Sequence, residues 1–232
     1  MRARVMRVDG EQGVALVMAL MATTLLLTLG GALILLSSSE TVIAANFRSA
    51  HEARYAADAA IERAVADLRR EPDLTLILSG GLLSSFVDGP PSGTRSLIDG
   101  STIDLGQVTN LANCNKPSAC SAAELTATTV ERPWGVNNPL WALYAYGPLT
   151  NMLDPGSARS PFYIVVLVGD DPSENDGDPT LDGFTAGVPN PGKGIVRVRA
   201  EAFGPRSAHS VVEAVVEQSS TELRVLSQSD AR

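Results

Sequence analysis

Residues 14–36 run without a charge, their apolar side chains broken only by Thr23, Thr24, Thr28, Gly30 and Gly31. At ~1.5 Å rise per residue, a helix over this stretch is about as long as the ~30 Å hydrocarbon core of a bilayer is thick, so it can span a membrane. The pattern then changes rather than stops. From 40 to 70 there is neither proline nor glycine, and Phe47, Ala50, Ala53, Ala57, Ile61, Ala64 and Leu68 recur at gaps of three and four. Such gaps place all seven on one helix face. Glu52, Asp58, Glu62, Arg63 and Asp67 fall mostly elsewhere, so this half is amphipathic and is expected to pack against a globular domain. Arg69 and Arg70 suit the negative end of a helix dipole, and Pro72 disfavours helix at Glu71. The spacing predicts one helix over 14–70, roughly 55 residues and some 80 Å long.

Beyond it the period shortens. Residues 74–113 combine a short apolar run (Leu74, Leu76, Ile77, Leu78) with turn chemistry at 88–93 and at Asp99 and Gly100. They read as a variable connecting region with one or two strands. Residues 141–146 alternate well enough for a strand. Residues 162–168 are a continuous apolar, β-branched run, which predicts a central strand buried on both faces with the long helix on one of them. In 195–203, Val196, Val198, Ala200 and Ala202 face one way while Arg197, Arg199 and Glu201 face the other. Residues 211–217 repeat the alternation with Glu213 and Glu217 outward, and 204–210 join the two as an antiparallel hairpin. Arg197 and Arg199 are then placed to pair with Glu213 or Glu217, at about 0.2–1 kcal/mol each. The fold class expected is α+β: a long N-terminal helix packed on a C-terminal antiparallel sheet, the sheet domain occupying 72–232.

Charge changes the picture at both ends. The chain carries a net −8; its first 13 residues hold Arg2, Arg4 and Arg7 against Asp9 and Glu11, a net of +1, which leaves −9 for the rest. An arginine-bearing leader is expected to stay in the cytoplasm and the remainder to lie outside it. The acidity offers no basic patch to neutralise phosphates, so nucleic acid is not an expected partner. Cleavage as a secretory signal would fall after the apolar run, but Ser37, Ser38, Ser39 and Glu40 match an Ala-x-Ala site poorly, and the run is long for a signal core. Cleavage ahead of the run would keep it in the mature chain. Without leader and membrane segment roughly 195 residues remain, enough for one domain. Few aromatics and frequent Gly and Pro predict a modest core rich in loops.

The residues around that junction carry a resemblance. Glu11, Gln12, Gly13, Val14, Ala15 and Leu16 resemble the class III leader junction of type IV pilins and pseudopilins. Residues 56–64 (AADAAIERA) resemble the amphipathic half-helix of PilX-type minor pilins. The likeness covers about residues 10–70. It implies a pilin-like fold with a 1–13 leader, a transmembrane half at 14–36 and an amphipathic half at 37–71. It also implies that a prepilin peptidase cuts after Gly13 and methylates the new amine of Val14. The implied location is single-pass in the inner membrane before assembly, then the pilus filament or tip, with the C-terminal domain periplasmic or extracellular. The implied partners are other minor and major pilins and a PilY-type tip adhesin, and the implied role is to prime or cap pilus assembly. Major pilins usually carry glutamate at the fifth mature position, which here is Met18. A carboxylate buried in a filament core is costly unless paired with a neighbour's N-terminal amine. Met18 cannot make that pair, which favours a minor, tip-proximal subunit. The alternative of the same architecture is a K-type pseudopilin of a type II secretion system; that of another class is a single-pass anchored periplasmic binding domain.

Candidate chemistry is sparse. Cys114 and Cys120 bracket a proline-bearing loop and read as a local disulfide in an exported chain, or else as two reduced thiols; their spacing suits neither zinc nor a Cys-x-x-Cys redox pair. Asp170, Asp171, Glu174, Asp176, Asp178 and Asp182 share a short loop with Asn175 and Gly177, the oxygen-rich composition that calcium takes. The EF-hand template fails, since aligning Gly177 with its invariant glycine puts Pro172 at the first ligand position. The loop reads as calcium-binding or as an acidic, solvated turn. Trp134 and Trp141 read as core, with an exposed binding patch the alternative. His51 and His209 are the only histidines, and neither a Gly-x-Ser-x-Gly elbow nor a phosphate-binding loop is present, so no catalytic site and no enzymatic activity are expected.

Overall fold

The computed structural model describes residues 11–71, 73–153, 160–174, 177–182, 192–219 and 222–231. The leader's Arg2, Arg4 and Arg7, the helix-breaking Pro72 and the loop's Asp176 lie outside these residues. The elements in order are α1 (Glu11–Leu68), α2 (Thr75–Leu78), β1 (Thr94–Ser96), β2 (Thr102–Asp104), α3 (Leu105–Cys114), α4 (Ala122–Leu125), β3 (Ala142–Pro148), α5 (Leu149–Met152), β4 (Tyr163–Asp170), β5 (Ile195–Phe203), β6 (His209–Gln218) and β7 (Leu223–Asp230).

The chain divides between Arg48 and Ser49 into two units. In the first, the described residues belong to α1, which is long and apolar enough to cross a membrane; its side chains from Val14 to Leu36 are largely exposed, as a lipid-facing helix requires. Thr23, Thr24 and Thr28 return their hydroxyls to carbonyls one turn back at 2.9 Å, which hides these polar groups within the helix.

In the second unit, β3 to β7 form one antiparallel sheet in strict chain order. All eight residues of β4 are buried. Its alternate side chains enter two different cores, because successive residues of a strand point to opposite faces. Ile164, Val166 and Val168 meet Ala53, Ala57, Ala60, Ile61, Ala64 and Leu68 of α1, together with Val196, Val198, Ala200 and Ala202 of β5. Tyr163, Val165 and Leu167 meet Leu105 and Val108 of α3, with Trp141 and Tyr146. The alanines let helix and sheet approach closely. Asp67 strengthens the joint by accepting hydrogen bonds from Ser84 and, at 2.9 Å, from Tyr144 of β3. Burial first, and the Asp67 carboxylate second, push the Tyr144 hydroxyl's pKa well up, so it stays a donor.

The buried stripe is shorter at its start than the periodicity predicts. Phe47 is 67% exposed and Ala50 is also exposed. The β5–β6 turn reaches α1 at Ser49, whose Oγ accepts from Arg206 at 2.8 Å, and the covered stripe begins beyond it at Ala53. The helix stops at Leu68, two residues before Arg70.

The connecting region holds the short β1–β2 hairpin, turning at Asp99 and Gly100 (φ +83°), as its turn residues predict. It also holds α3, which the sequence reading missed. Asp104 caps that helix by accepting from the Gln107 N–H at 2.9 Å, and Asn115 ends it in the left-handed conformation. The outer edge of β3 is closed by residues 84–88, through Ser84, Phe86 and Asp88 backbone bonds of 2.9 to 3.0 Å. β7, at the opposite edge, carries a bulge and the exposed charges of Arg224 and Asp230, which discourage further strand pairing.

The cross-strand pairing needs one correction. Arg199 lies directly opposite Glu213 and bonds it at 2.7 Å, but Arg197 lies opposite Val215 and instead pairs with Asp171 at 3.2 Å. Glu217 takes Arg224 of β7. Buried Glu201 accepts from Arg199 at 2.8 Å and lies 3.0 Å from His209 Nε2. Its burial pushes its pKa up, but the His209 hydrogen bond and the Arg199 charge outweigh that and hold it below the ordinary glutamate range.

Two outcomes test this packing. Ala57→Leu, which adds volume at a fully buried position, is expected to cost about 1–3 kcal/mol in chemical denaturation of the detergent-solubilised chain, against less than ~0.5 kcal/mol for Ala50→Leu. Because the folded Glu201 pKa is lowered, its contribution is present above the ordinary glutamate pKa and lost as pH falls through the lowered value. Glu201→Gln should cost about 2 kcal/mol at neutral pH and make stability less pH-dependent below about pH 4.5; an unchanged acid limb would exclude Glu201 as its source.

Candidate functional site

The turn between β4 and β5 is where carboxylates gather, and the backbone explains much of the gathering. β4 ends at Asp170, and Asp170, Asp171 and Asp182 are all buried. Asp171 accepts from the Ser173 N–H at 2.8 Å, closing a tight turn, and its other oxygen meets Arg197. Asp178 does the same for Thr180, whose N–H and hydroxyl lie at 3.0 and 2.6 Å. Glu174 accepts from the N–H groups of Lys193 and Ile195, and Asp182 accepts from Gly194 at 2.6 Å. Three consecutive backbone donors at the start of β5 are thus satisfied by two loop carboxylates. Gly194 sits where β5 leaves β6: its φ is +84° and an added Cβ would lie 2.5 Å from the Gln218 carbonyl oxygen. Asp182 is fixed from a distance in sequence too, its backbone bonded through both N–H and C=O to the Thr75 hydroxyl of α2.

Of the six acidic residues singled out for calcium, the structure brings three together. Asp170, Glu174 and Asp182 each offer an oxygen within 4.8 Å of the others. Asp171 turns to Arg197, Asp178 caps its own turn, and Asp176 lies outside the described residues. An all-carboxylate set suits hard cations such as calcium or magnesium rather than zinc. The contacts that hold Glu174 and Asp182 carried no signal in the sequence, because backbone N–H donors have no side-chain signature and the Asp182–Thr75 link spans 107 residues.

The preceding turn leans on this loop. Asn137 donates to the Pro172 carbonyl at 3.0 Å, and the Arg197 guanidinium lies 5.3 Å from the Trp134 ring centroid. Within the turn, Arg132 donates to the carbonyls of Leu125 and Pro139, and Asn138 to those of Leu125 and Ala127. The two tryptophans part company: Trp141 is buried, whereas Trp134 is 38% exposed beside Val136 at 70% and Val130 at 93%.

Cys114 and Cys120 form a disulfide across the C-terminal end of α3. Next to it, Asn113 and the Trp141 backbone exchange two hydrogen bonds of 2.9 and 2.8 Å, joining α3 to the chain that enters β3. Ser121 and Glu124 make a reciprocal capping box on α4, and Lys116 with the Ser121 N–H holds the Glu124 carboxyl down at about 2. Gly13 and Val14 lie within α1, and Val14 and Met18 are 56% and 66% exposed. His209 stacks on Phe203 at 4.5 Å, and His51 lies on α1 near Tyr55.

Comparison with protein-family models, with curated proteins and with solved structures finds no match to this chain.

The disulfide closes a loop of sequence separation 6, short enough that its removal should cost only about 2 kcal/mol. Cys114→Ser/Cys120→Ser is therefore expected to fold, with a lowered unfolding temperature that thiol reductant no longer shifts. A double variant as stable as the parent would show that the bridge contributes nothing.

Proposed function

We propose that this chain is a PilX-type minor subunit of a type IV pilus, a structural protein that primes or caps assembly and supports a PilY-type tip adhesin. One observation carries the reading: a single helix begins as an uncharged, exposed segment of membrane length and continues as an alanine-faced wall of an antiparallel sheet domain. An anchor alone needs only the first half. The leader-like junction at Gly13 and Val14 adds the route, with a prepilin peptidase trimming the chain and methylating Val14. In a filament the uncharged helix would pack among those of other minor and major pilins, and Met18 leaves this subunit without the carboxylate that pairs with a neighbour's amine. The same features fit a K-type pseudopilin of a type II secretion system. The rival reading, an anchored periplasmic binding domain, makes Gly13 and the alanine face incidental.

Mass spectrometry of the N-terminus, on membrane-extracted chain from cells with and without prepilin peptidase, separates these readings. A chain starting at methylated Val14 only when the peptidase is present is the expected result. A chain starting at Met1 or beyond Leu36 in both would overturn the pilin reading and leave the anchored domain.

A second reading concerns the loop, and the convergence of Asp170, Glu174 and Asp182 favours it: these three residues take a calcium ion that orders the start of β5. Their mutual repulsion would fall on binding. Calcium at a hundredfold over its dissociation constant is expected to stabilise the domain by about 2.7 kcal/mol, read as a raised unfolding temperature. Asp170→Asn should abolish the rise. No calcium-dependent shift in the parent chain would leave the loop as a hydrogen-bonded acidic turn.

A further inference from the structure

We draw no further inference here: the strongest candidate, the exposed apolar patch of Val130, Trp134 and Val136 on the turn before β3, has nothing in the structure to show what covers it.

Discussion

A strand without a polar face has to be covered twice, and β4 imposes that requirement on the rest of the sheet domain. Six of its eight buried residues, Tyr163 to Val168, divide between two cores, one closed by the helix and one by α3 with Trp141 and Tyr146. Burying each Ile or Val side chain is worth about 1.5–3 kcal/mol, so neither cover is dispensable. The demands on the two covers differ. The helical cover meets β-branched side chains over several strands and does so with alanine, whereas the second cover is a ten-residue helix whose position is set by a disulfide and the Asn113–Trp141 exchange.

Charge is handled by the same economy of position. Carboxylates from the helix, the acidic loop and β5 are assigned one by one: Asp67 to Ser84 and Tyr144, Asp171 to Arg197, Glu201 to Arg199 and His209, Glu174 and Asp182 to backbone donors at the start of β5. Two of those assignments fall within the cluster that is offered to a cation. Hydrogen bonding and metal coordination are compatible there, since a carboxylate has about four lone-pair sites and each backbone donor uses one.

The elements legible in the sequence are those whose pattern is strictly periodic. The alanine stripe from Ala53, the continuous run of β4 and the alternation of β5 and β6 made most of their burial readable from spacing, the departures being Glu201, buried on the other face of β5, and Val211, buried next to Val212 in β6. α3 was illegible because its buried face is short and includes the polar Asn113 beside Leu105 and Val108, although Asp104 three residues before Gln107 was a capping signal that could have located it. β7 was illegible for another reason: its bulge at the Val215/Val216 register shift breaks the two-residue period, and only Leu223 is buried. Spacing could place Arg199 opposite Glu213, yet the partner of Arg197 came from a loop, and loop partners have no period to read. The same limit applies to the acidic loop, where composition suggested six ligands and geometry brings together three of them.

The chain-order succession of β3 to β7 bears on how the domain is made. Each strand from β3 to β7 hydrogen-bonds to its immediate successor, so these four ladders join neighbours in the chain, while the outer edge of β3 takes residues 84–88 from far upstream. The docking of α1 closes a longer loop, since it lies about a hundred residues upstream of the β-branched residues it covers, and so carries the larger closure entropy. The sheet's own ladders are thus local in sequence, and the joints that tie the domain together are the long-range ones made by α1 and by residues 84–88.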